Sequence, residues 1–336
     1  MIKLAQLFPI ILWAIIGAVI SSPVLIWLGV RLGFVDIPGA EPHKIHSTAT
    51  PMVGGAVLAA ALALGYAVAR PELDTSVIGI FISGFIILIW GMWDDKFQLP
   101  PLAKIAGQLI AALILWHYGV RAHLVMDERI NFILTLFWII GLINAFNFVD
   151  SMDGLALGLA AIAAAFFMLV TIDSQQVTLA NLSAALFGAA IGAYGLNAFP
   201  SKMFLGDSGS QLLGLFLAAI GIVYNPIGLD QAVSWFTPIL VLGVPIFDMI
   251  LVVYSRIRHR RKIYQANRDH VYHRLLFLGL DSTRSVLAMQ LVAIILGLVA
   301  FIALDATPIS ANVIFAAVVV GGVVSIIYLD RHDPTA

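Results

Sequence analysis

Long apolar stretches separated by short polar connections recur from one end of the chain to the other. Most stretches are about 18–22 residues long, which at about 1.5 Å per residue matches a hydrocarbon core of about 30 Å. They do not alternate polar with apolar positions, so they predict membrane-spanning helices rather than barrel strands. We predict about eleven spans, near residues 8–30, 52–69, 76–93, 104–120, 130–148, 154–172, 179–197, 208–224, 232–253, 285–303 and 311–329.

Composition supports this pattern. The 336 residues are 61% hydrophobic and only 11% charged, with a mean hydropathy of +1.00. We therefore expect an all-α, polytopic integral membrane protein surrounded by lipid, with no role in nucleic-acid binding. The absence of cysteine excludes disulfides and thiolate metal sites. No linker, repeat or separate cleavable leader is evident, so residues 1–336 are interpreted as one transmembrane domain whose first apolar run is an uncleaved span.

The distribution of basic residues predicts which side of the membrane each connection faces. Eleven spans would place the connections near 31–51, 94–103, 149–153, 198–207 and 254–284, and the C-terminus, on one side. Of the 18 Lys and Arg residues, only Lys3, Arg70, Arg121 and Arg129 fall on the opposite side. The other fourteen mark the first side as cytoplasmic by the positive-inside rule. The polar motifs described below all lie on that same side, so we expect an active site that faces the cytoplasm.

The connection around residues 144–155 concentrates polar groups between two apolar runs. Asn144, Asn147, Asp150 and Asp153 follow one another at intervals of three, and Gly154 comes next. Ionisable groups at a membrane boundary cost free energy unless a partner, a metal or a substrate compensates. The spacing favours a site that handles metal and phosphate, whereas a polar turn that merely ends two helices is the simpler alternative.

A second acidic group lies at Asp94 and Asp95, with Lys104 opening the next span. Adjacent carboxylates repel each other and lose hydration unless a cation lies between them. Oxygen ligands suit Mg²⁺ or Mn²⁺, and no cysteine–histidine set indicates zinc. The pair could instead be a solvated acidic turn. If a metal binds here, the two carboxylates hold the ion, and in the alternative interpretation Asp94 acts as a base.

Two glycine-containing segments are candidate phosphate sites. Residues 206–210, Gly-Asp-Ser-Gly-Ser, offer amides and hydroxyls at the start of a span. Asp207 adds a metal ligand, although Asp207 or Ser208 acting as a simple helix cap would explain the same pattern. In the first connection, Lys44 precedes Gly54-Gly55 and suits a phosphate, but an ordinary basic loop is an equal explanation.

The last cytoplasmic connection has two parts. The basic run at 256–262 is typical of a topology determinant or an anionic-lipid contact. Beyond it, Arg268, His270 and His273 have a different character, because the histidines are three residues apart and can share a helix face. They suit diphosphate binding or proton donation near neutral pH.

Carboxylates, amides, cations and paired histidines on one membrane face form the inventory that phosphoryl transfer requires. The chain resembles the polyprenyl-phosphate N-acetylhexosamine-1-phosphate transferase family (glycosyltransferase family 4), which includes phospho-MurNAc-pentapeptide translocase. The resemblance extends from about Asp36 to about Arg284. Its signatures are Asp94-Asp95, the Asn-x-x-Asn-x-x-Asp-x-x-Asp-Gly-Leu pattern of 144–155, the Phe-Leu-Gly-Asp-Ser-Gly-Ser segment of 204–210 and the His270/His273 loop.

The resemblance implies transfer of a sugar 1-phosphate from a UDP-sugar to undecaprenyl phosphate, with release of UMP and dependence on Mg²⁺ or Mn²⁺. It implies Asn197 and Phe204 as parts of a uridine pocket. The implied catalytic residues are Asp94, Asp95, Asp150, Asp153, His270 and His273. The implied substrate-binding residues are Lys44, Lys104, Asn147, Asn197, Phe204 and Arg268. The implied metal ligands are Asp94, Asp95, Asp150 and Asp207.

The histidine loop resembles the GlcNAc-type branch more than the pentapeptide branch, although Asn267 and Tyr272 replace an aspartate and a histidine of its pattern. The expected product is a lipid-diphosphate-sugar that initiates cell-envelope polysaccharide synthesis, O-antigen included, in the bacterial inner membrane. A homodimer is left open, as is a one-step or double-displacement route. A secondary transporter is the rival class, but transporters place acids near the midplane of broken helices and often contain repeats.

Overall fold

The computed structural model describes residues 3–37, 49–69, 74–198, 200–226, 231–262 and 268–332. These residues are predominantly helical, and they divide into two compact units, Met1–Ile227 and Gly228–Ala336. Each unit is described separately below. The prediction of a single domain stays a prediction.

The described residues of the first unit form eight helices and one short strand pair. Its elements are α1 (Leu4–Leu32), β1 (Val35–Asp36), β2 (Thr50–Pro51), α2 (Gly54–Val68), α3 (Thr75–Phe97), α4 (Pro101–His117), α5 (Glu128–Val149), α6 (Leu155–Asp173), α7 (Val177–Asn197) and α8 (Gly206–Val223). The two strands are antiparallel, with Val35 opposite Pro51. Helix α8 packs against α3 and α5, and α6 packs against α7.

In the second unit, the part of the chain that the structure describes forms six helices: α9 (Gln231–Ser234), α10 (Thr237–Val241), α11 (Gly243–Arg258), α12 (Val271–Phe277), α13 (Ser282–Ala303) and α14 (Pro308–Asp330). Helix α13 packs against α10, α11 and α12, and α14 contacts α9 and α11. The two short helices at the start of this unit come from a stretch that the sequence pattern predicts as one span.

Eight helices in the described parts of the chain are long and apolar enough to cross a membrane: α1, α3, α5, α6, α7, α8, α13 and α14. Helices α2 and α4 are apolar but shorter, with 15 and 17 residues. The prediction of an all-α, polytopic membrane protein is confirmed, whereas the count of about eleven spans is not.

The predicted span at 232–253 is not a continuous helix. Helix α10 ends at Val241, and α11 begins at Gly243. Pro245 has no N–H to donate to the carbonyl of Val241, four residues earlier, so one hydrogen bond of a regular helix is missing at this break. A hydropathy pattern counts apolar residues and does not detect such a break.

A backbone connection positions the start of α8. The amide of Phe204 donates to the carbonyl of Pro51 at 2.8 Å, and the amide of Gly54 donates to the carbonyl of Phe204 at 3.0 Å. The segment that leads into α8 is therefore fixed beside the strand pair and the first turn of α2. This arrangement brings the first turn of α8 to the same end of the unit as the last turns of α3 and α5.

Candidate active site

Four helix ends bring the acidic motifs of the first unit together. Asp94 and Asp95 lie in the last turns of α3, and Asn147 lies in the last turn of α5. Lys104 and Asp207 lie in the first turns of α4 and α8. Asp150 caps the C-terminus of α5, and Asp153 follows in the turn before α6. The structure therefore collects the motifs that are separated by up to about a hundred residues in the sequence.

Lys104 joins two of these carboxylates. Its Nζ lies 2.6 Å from Asp94 Oδ2 and 2.6 Å from Asp207 Oδ2. Asp94 is buried, with 3% of its surface exposed, and its other oxygen accepts the amide N–H of Leu99 at 2.8 Å. The Asp94 carboxylate is thus held on both sides. Its pairing with the ammonium group of Lys104 favours a role in charge balance.

Asp95 faces the first turn of α8 rather than a cation. Its Oδ1 accepts the amide N–H of Asp207 at 2.7 Å, and its Oδ2 accepts that of Ser208 at 3.2 Å. Gly206, with φ +72°, makes this approach possible, because a Cβ there would lie 2.7 Å from Asp95 Oδ2. These two amides were predicted to seat a phosphate. In this structure the Asp95 carboxylate is the anion that these two amides bind, and a phosphate at this helix start stays a prediction.

Amide side chains extend the cluster along the helices. Asn147 Nδ2 donates to Asp207 Oδ1 at 2.7 Å and to Ser210 Oγ at 3.1 Å. Deeper in the unit, Gln108 Nε2 lies 3.3 Å from Gln211 Oε1, and Asn144 Nδ2 donates to Gln108 Oε1 at 2.7 Å. The role of Gln211 was missed in the sequence, although it lies four residues after Asp207 and therefore on the same helix face.

The charge of the cluster exceeds what Lys104 balances. Burial raises the pKa of Asp150 well above its usual range, and the charges of Asp207, Asp95 and Asp153 raise it further. Within the described ranges, no three carboxylates or imidazoles already stand at metal-binding distance. The chemistry of the donors nevertheless fits a hard divalent cation, because every donor is a carboxylate or amide oxygen and the site has excess negative charge. The magnesium or manganese ion stays a prediction.

Asn197 and Phe204, which the family resemblance implies as parts of a uridine pocket, lie beside this cluster. Asn197 Oδ1 accepts the amide N–H of Gly154 at 2.9 Å, and its Nδ2 donates to the carbonyl of Met203 at 3.1 Å. Asn197 therefore ties the acidic turn to the segment before α8, and it is 3% exposed. Phe204 is half-buried. Their contact with a nucleotide stays a prediction.

The predicted histidines belong to the second unit. His270 Nδ1 lies 2.8 Å from Asp248 Oδ2, and the rings of His270 and His273 are 6.1 Å apart at their centroids. Burial lowers the pKa of His273 to about 4, and electrostatic interactions with His270 and Arg268 contribute to the lowering. Asp248 was missed in the sequence, although an acid within an apolar run of membrane length was the available signal. Lys44 lies outside the described residues.

A polytopic membrane protein with an aspartate cluster at its helix ends defines a class of membrane enzyme, and comparison with known proteins specifies the family. Residues 77–225 match the family described as Glycosyl transferase family 4. The chain is 32% identical over 367 aligned positions to the decaprenyl-phosphate N-acetylglucosaminephosphotransferase of Mycobacterium tuberculosis, covering 96% of this chain and 89% of that protein. The chain belongs to this family.

Two further relatives have related names. The probable undecaprenyl-phosphate N-acetylglucosaminyl 1-phosphate transferase of Bacillus subtilis is 29% identical over 88% of this chain and 84% of its own length. The undecaprenyl-phosphate alpha-N-acetylglucosaminyl 1-phosphate transferase of Escherichia coli K12 is 26% identical over 81% of this chain and 77% of its own length. The family resemblance predicted from the motifs is therefore confirmed.

Proposed function

We propose that this protein transfers N-acetylglucosamine 1-phosphate from a UDP-sugar to undecaprenyl phosphate, and that UMP is the leaving product. The observation that carries the proposal is the Asp94–Lys104–Asp207 arrangement, which brings together three residues of separate motifs at one end of the helices. The relatives named above supply the acceptor and the sugar, since their names specify a polyprenyl phosphate and N-acetylglucosamine.

In the reaction, an oxygen of the lipid phosphate attacks the β-phosphorus of the UDP-sugar, whose bond to the UMP oxygen breaks. The phosphate monoester is already mostly dianionic at pH 7, because its second pKa is about 6. Removing a proton is therefore a minor requirement, and the main tasks are to position two anions and to balance their charge. The largely half-buried cluster of acids and one lysine is suited to hold the cations that this task requires.

We assign Asp150 and Asp207 as the residues that would hold a Mg²⁺ or Mn²⁺ ion, with Asp94 and Asp153 nearby in the same cluster. When bound, the ion supplies charge neutralisation for the phosphate oxygens. Lys104 keeps Asp94 and Asp207 in place between turnovers, and Asn147 orients Asp207 by donating to its other oxygen. The side chains of Lys104 and Asn147 thus fix the orientation of the Asp207 carboxylate, and Lys104 also holds that of Asp94.

His270, His273 and Arg268 are assigned to the same reaction through the sequence resemblance. A neutral His273, whose pKa is lowered to about 4, can accept a proton or a hydrogen bond at neutral pH. Arg268 is exposed and suits an anionic diphosphate. We further propose that the site faces the cytoplasm of the bacterial inner membrane, and the distribution of basic residues in the sequence supports this orientation.

A donor panel tests the proposal. Purified protein would be incubated with undecaprenyl phosphate, Mg²⁺ and one donor at a time: UDP-GlcNAc, UDP-GalNAc, UDP-MurNAc-pentapeptide or UDP-glucose. UMP release would be measured for each donor. We expect UMP release with UDP-GlcNAc that depends on both the lipid phosphate and the metal. Release of UDP instead of UMP, or release without the lipid, would reject this reaction. A preference for another UDP-sugar would keep the reaction and correct the substrate.

A further inference from the structure

The second unit contains an acid that the sequence motifs do not include. Asp248 lies in the second turn of α11, within a stretch that is otherwise apolar, and only 1% of its surface is exposed. A buried carboxylate is costly unless both of its oxygens have good partners. Asp248 therefore has a structural or chemical purpose that its surroundings should reveal.

The two carboxylate oxygens have different partners. Oδ1 accepts the amide N–H of Val271 at 2.7 Å, at the first residue of α12. Oδ2 lies 2.8 Å from Nδ1 of His270. An ionised carboxylate only accepts hydrogen bonds, so the proton in the second contact belongs to Nδ1. The imidazole is then held in one orientation, and Nε2 is its proton-accepting nitrogen when the ring is neutral.

The backbone around His270 is held as firmly as its ring. The preceding residue, Asp269, is fully buried and accepts two hydrogen bonds from Arg256, at 2.8 and 2.9 Å. Arg274 is also fully buried, and its Nε donates to the carbonyl of Asp269 at 3.0 Å. Its amide donates to the carbonyl of His270 at 3.2 Å. Such support is more than a seven-residue helix needs for its cap alone.

We propose that Asp248 is a positioning residue for the transferase reaction: it fixes the tautomer and orientation of His270, so that Nε2 is the nitrogen that acts in the reaction. The inference rests on the proposed function for the identity of the reaction. The Asp248–His270 contact is an arrangement in which a carboxylate orients a histidine through one ring nitrogen while the second ring nitrogen takes part in the chemistry. The competing explanation is that Asp248 only caps α12.

The test uses Asp248→Asn, His270→Gln and the double variant in the full-length protein. An asparagine keeps an oxygen for the Val271 amide, but its NH₂ group would face Nδ1 and favour the opposite tautomer. We expect Asp248→Asn to lower kcat about 10- to 100-fold with little change in KM, by analogy with the range seen when the hydrogen-bond partner of a metal-binding histidine is removed. In the His270→Gln background the same change should cost less than about twofold, because the effect passes through His270.

The matched control is Asp281→Asn. Asp281 caps α13, and its Oδ1 accepts the amide N–H of Arg284 at 2.8 Å. It therefore makes the same kind of capping contact as Asp248. It differs from Asp248 because it is exposed and pairs with an arginine instead of an imidazole. We expect this variant to retain kcat. Wild-type kcat in Asp248→Asn, or an equal loss with and without His270, would overturn the proposal and leave Asp248 as a cap.

A second measurement does not depend on enzyme activity or on the folding of the Asp248 variant. In wild-type protein labelled with ¹⁵N-histidine, the signal that His270→Gln removes identifies His270. We expect its Nδ1 to carry a proton at pH 7, and a bare Nδ1 would reject the inference. If wild-type protein releases no UMP while Nδ1 is protonated, the proposed reaction has failed and the contact between Asp248 and His270 has not.

Discussion

The carboxylates of the cluster differ in their hydrogen-bond partners and in their pKa values, and these differences determine the expected effect of removing each one. Asp207 contacts both Lys104 and Asn147, whereas Asp150 has a pKa raised by burial and by its acidic neighbours. Replacing either carboxylate with an amide of the same size removes a charge without opening a cavity. The expected loss is therefore one of function more than of stability.

We predict that Asp150→Asn or Asp207→Asn leaves the protein folded and lowers turnover by at least about 100-fold, since a ligand carboxylate has been removed. UMP release and thermal denaturation would be measured together. Asp305→Asn, an exposed position outside the cluster, is the control and should retain activity. Wild-type turnover at ordinary Mg²⁺ in either cluster variant would remove that residue from the site.

Asp94 permits a test of base catalysis. If Asp94 took a proton from the acceptor, Asp94→Asn would be more harmful at pH 6 than at pH 8.5, because the phosphate monoester has a second pKa near 6. The contacts with Lys104 and the Leu99 amide instead indicate charge balance. We predict that the fractional loss of kcat is the same at both pH values within about threefold. A loss that shrinks steadily as pH rises would restore the base assignment.

The lowered pKa of His273 predicts that the free energy of unfolding depends on pH. Its folded pKa of about 4 lies below the ordinary value of 6.5, because burial and the charges of His270 and Arg268 oppose protonation. Between those values the unfolded chain binds more protons, so the stability contribution of neutral His273 is present above pH 6.5 and declines as pH falls toward 4. Melting temperatures of wild type and His273→Gln from pH 7.5 to 4.5 should show a steeper decline in wild type. Parallel curves would contradict this.

At the scale of elements, the start of α8 depends on one glycine. Gly206 has φ +72°, and an added Cβ would crowd the Asp95 carboxylate that caps the helix. We predict that Gly206→Ala costs roughly 1–2 kcal/mol through backbone strain and also lowers activity, because Asp95 and Asp207 must move. Gly119 is the matched control, since its φ is +88° but a Cβ there would meet no atom within 4 Å.

Gly119→Ala should therefore lose similar stability and retain activity, and denaturation with UMP release would compare the two. Equal activity in both variants would show that the geometry at α8 does not matter for turnover.

The sequence predicted the elements better than it predicted their ends and partners. The apolar run suggested that a span ends at residue 93, but α3 continues to Phe97, because hydropathy marks the membrane boundary rather than the last helical residue. The acidic motifs could be found in the sequence because carboxylates at a membrane boundary cost free energy. The contact by which Asp95 caps α8 could not be predicted, because it joins residues 112 positions apart and depends on how α3 and α8 pack.

At the scale of the whole molecule, the number of crossings decides where the chain ends lie. The eight long apolar helices, or ten with α2 and α4 included, would return both ends of the described chain to the same side. Eleven crossings would separate them. The difference depends on the segment containing α10 and α11, which is interrupted after Val241 but still contains 16 helical residues in α11. Broken helices occur within membranes where the protein itself surrounds the break.

We predict that the N-terminus is outside and the C-terminus is in the cytoplasm, which requires the α10–α11 segment to cross. The reason is the charge distribution: Arg256, Arg258 and the run that follows lie at the end of α11, and positively charged ends remain in the cytoplasm. A reporter that is active only outside the cell and one that fluoresces only inside would each be fused after Ala336. The inside reporter should give the signal, and fusions after His123, in a connection predicted to be outside, should give the reverse.

The opposite result would be activity of the outside reporter at Ala336 while the His123 fusions behave as expected. It would mean that the α10–α11 segment does not cross the membrane and that the His270 loop and the C-terminus lie outside.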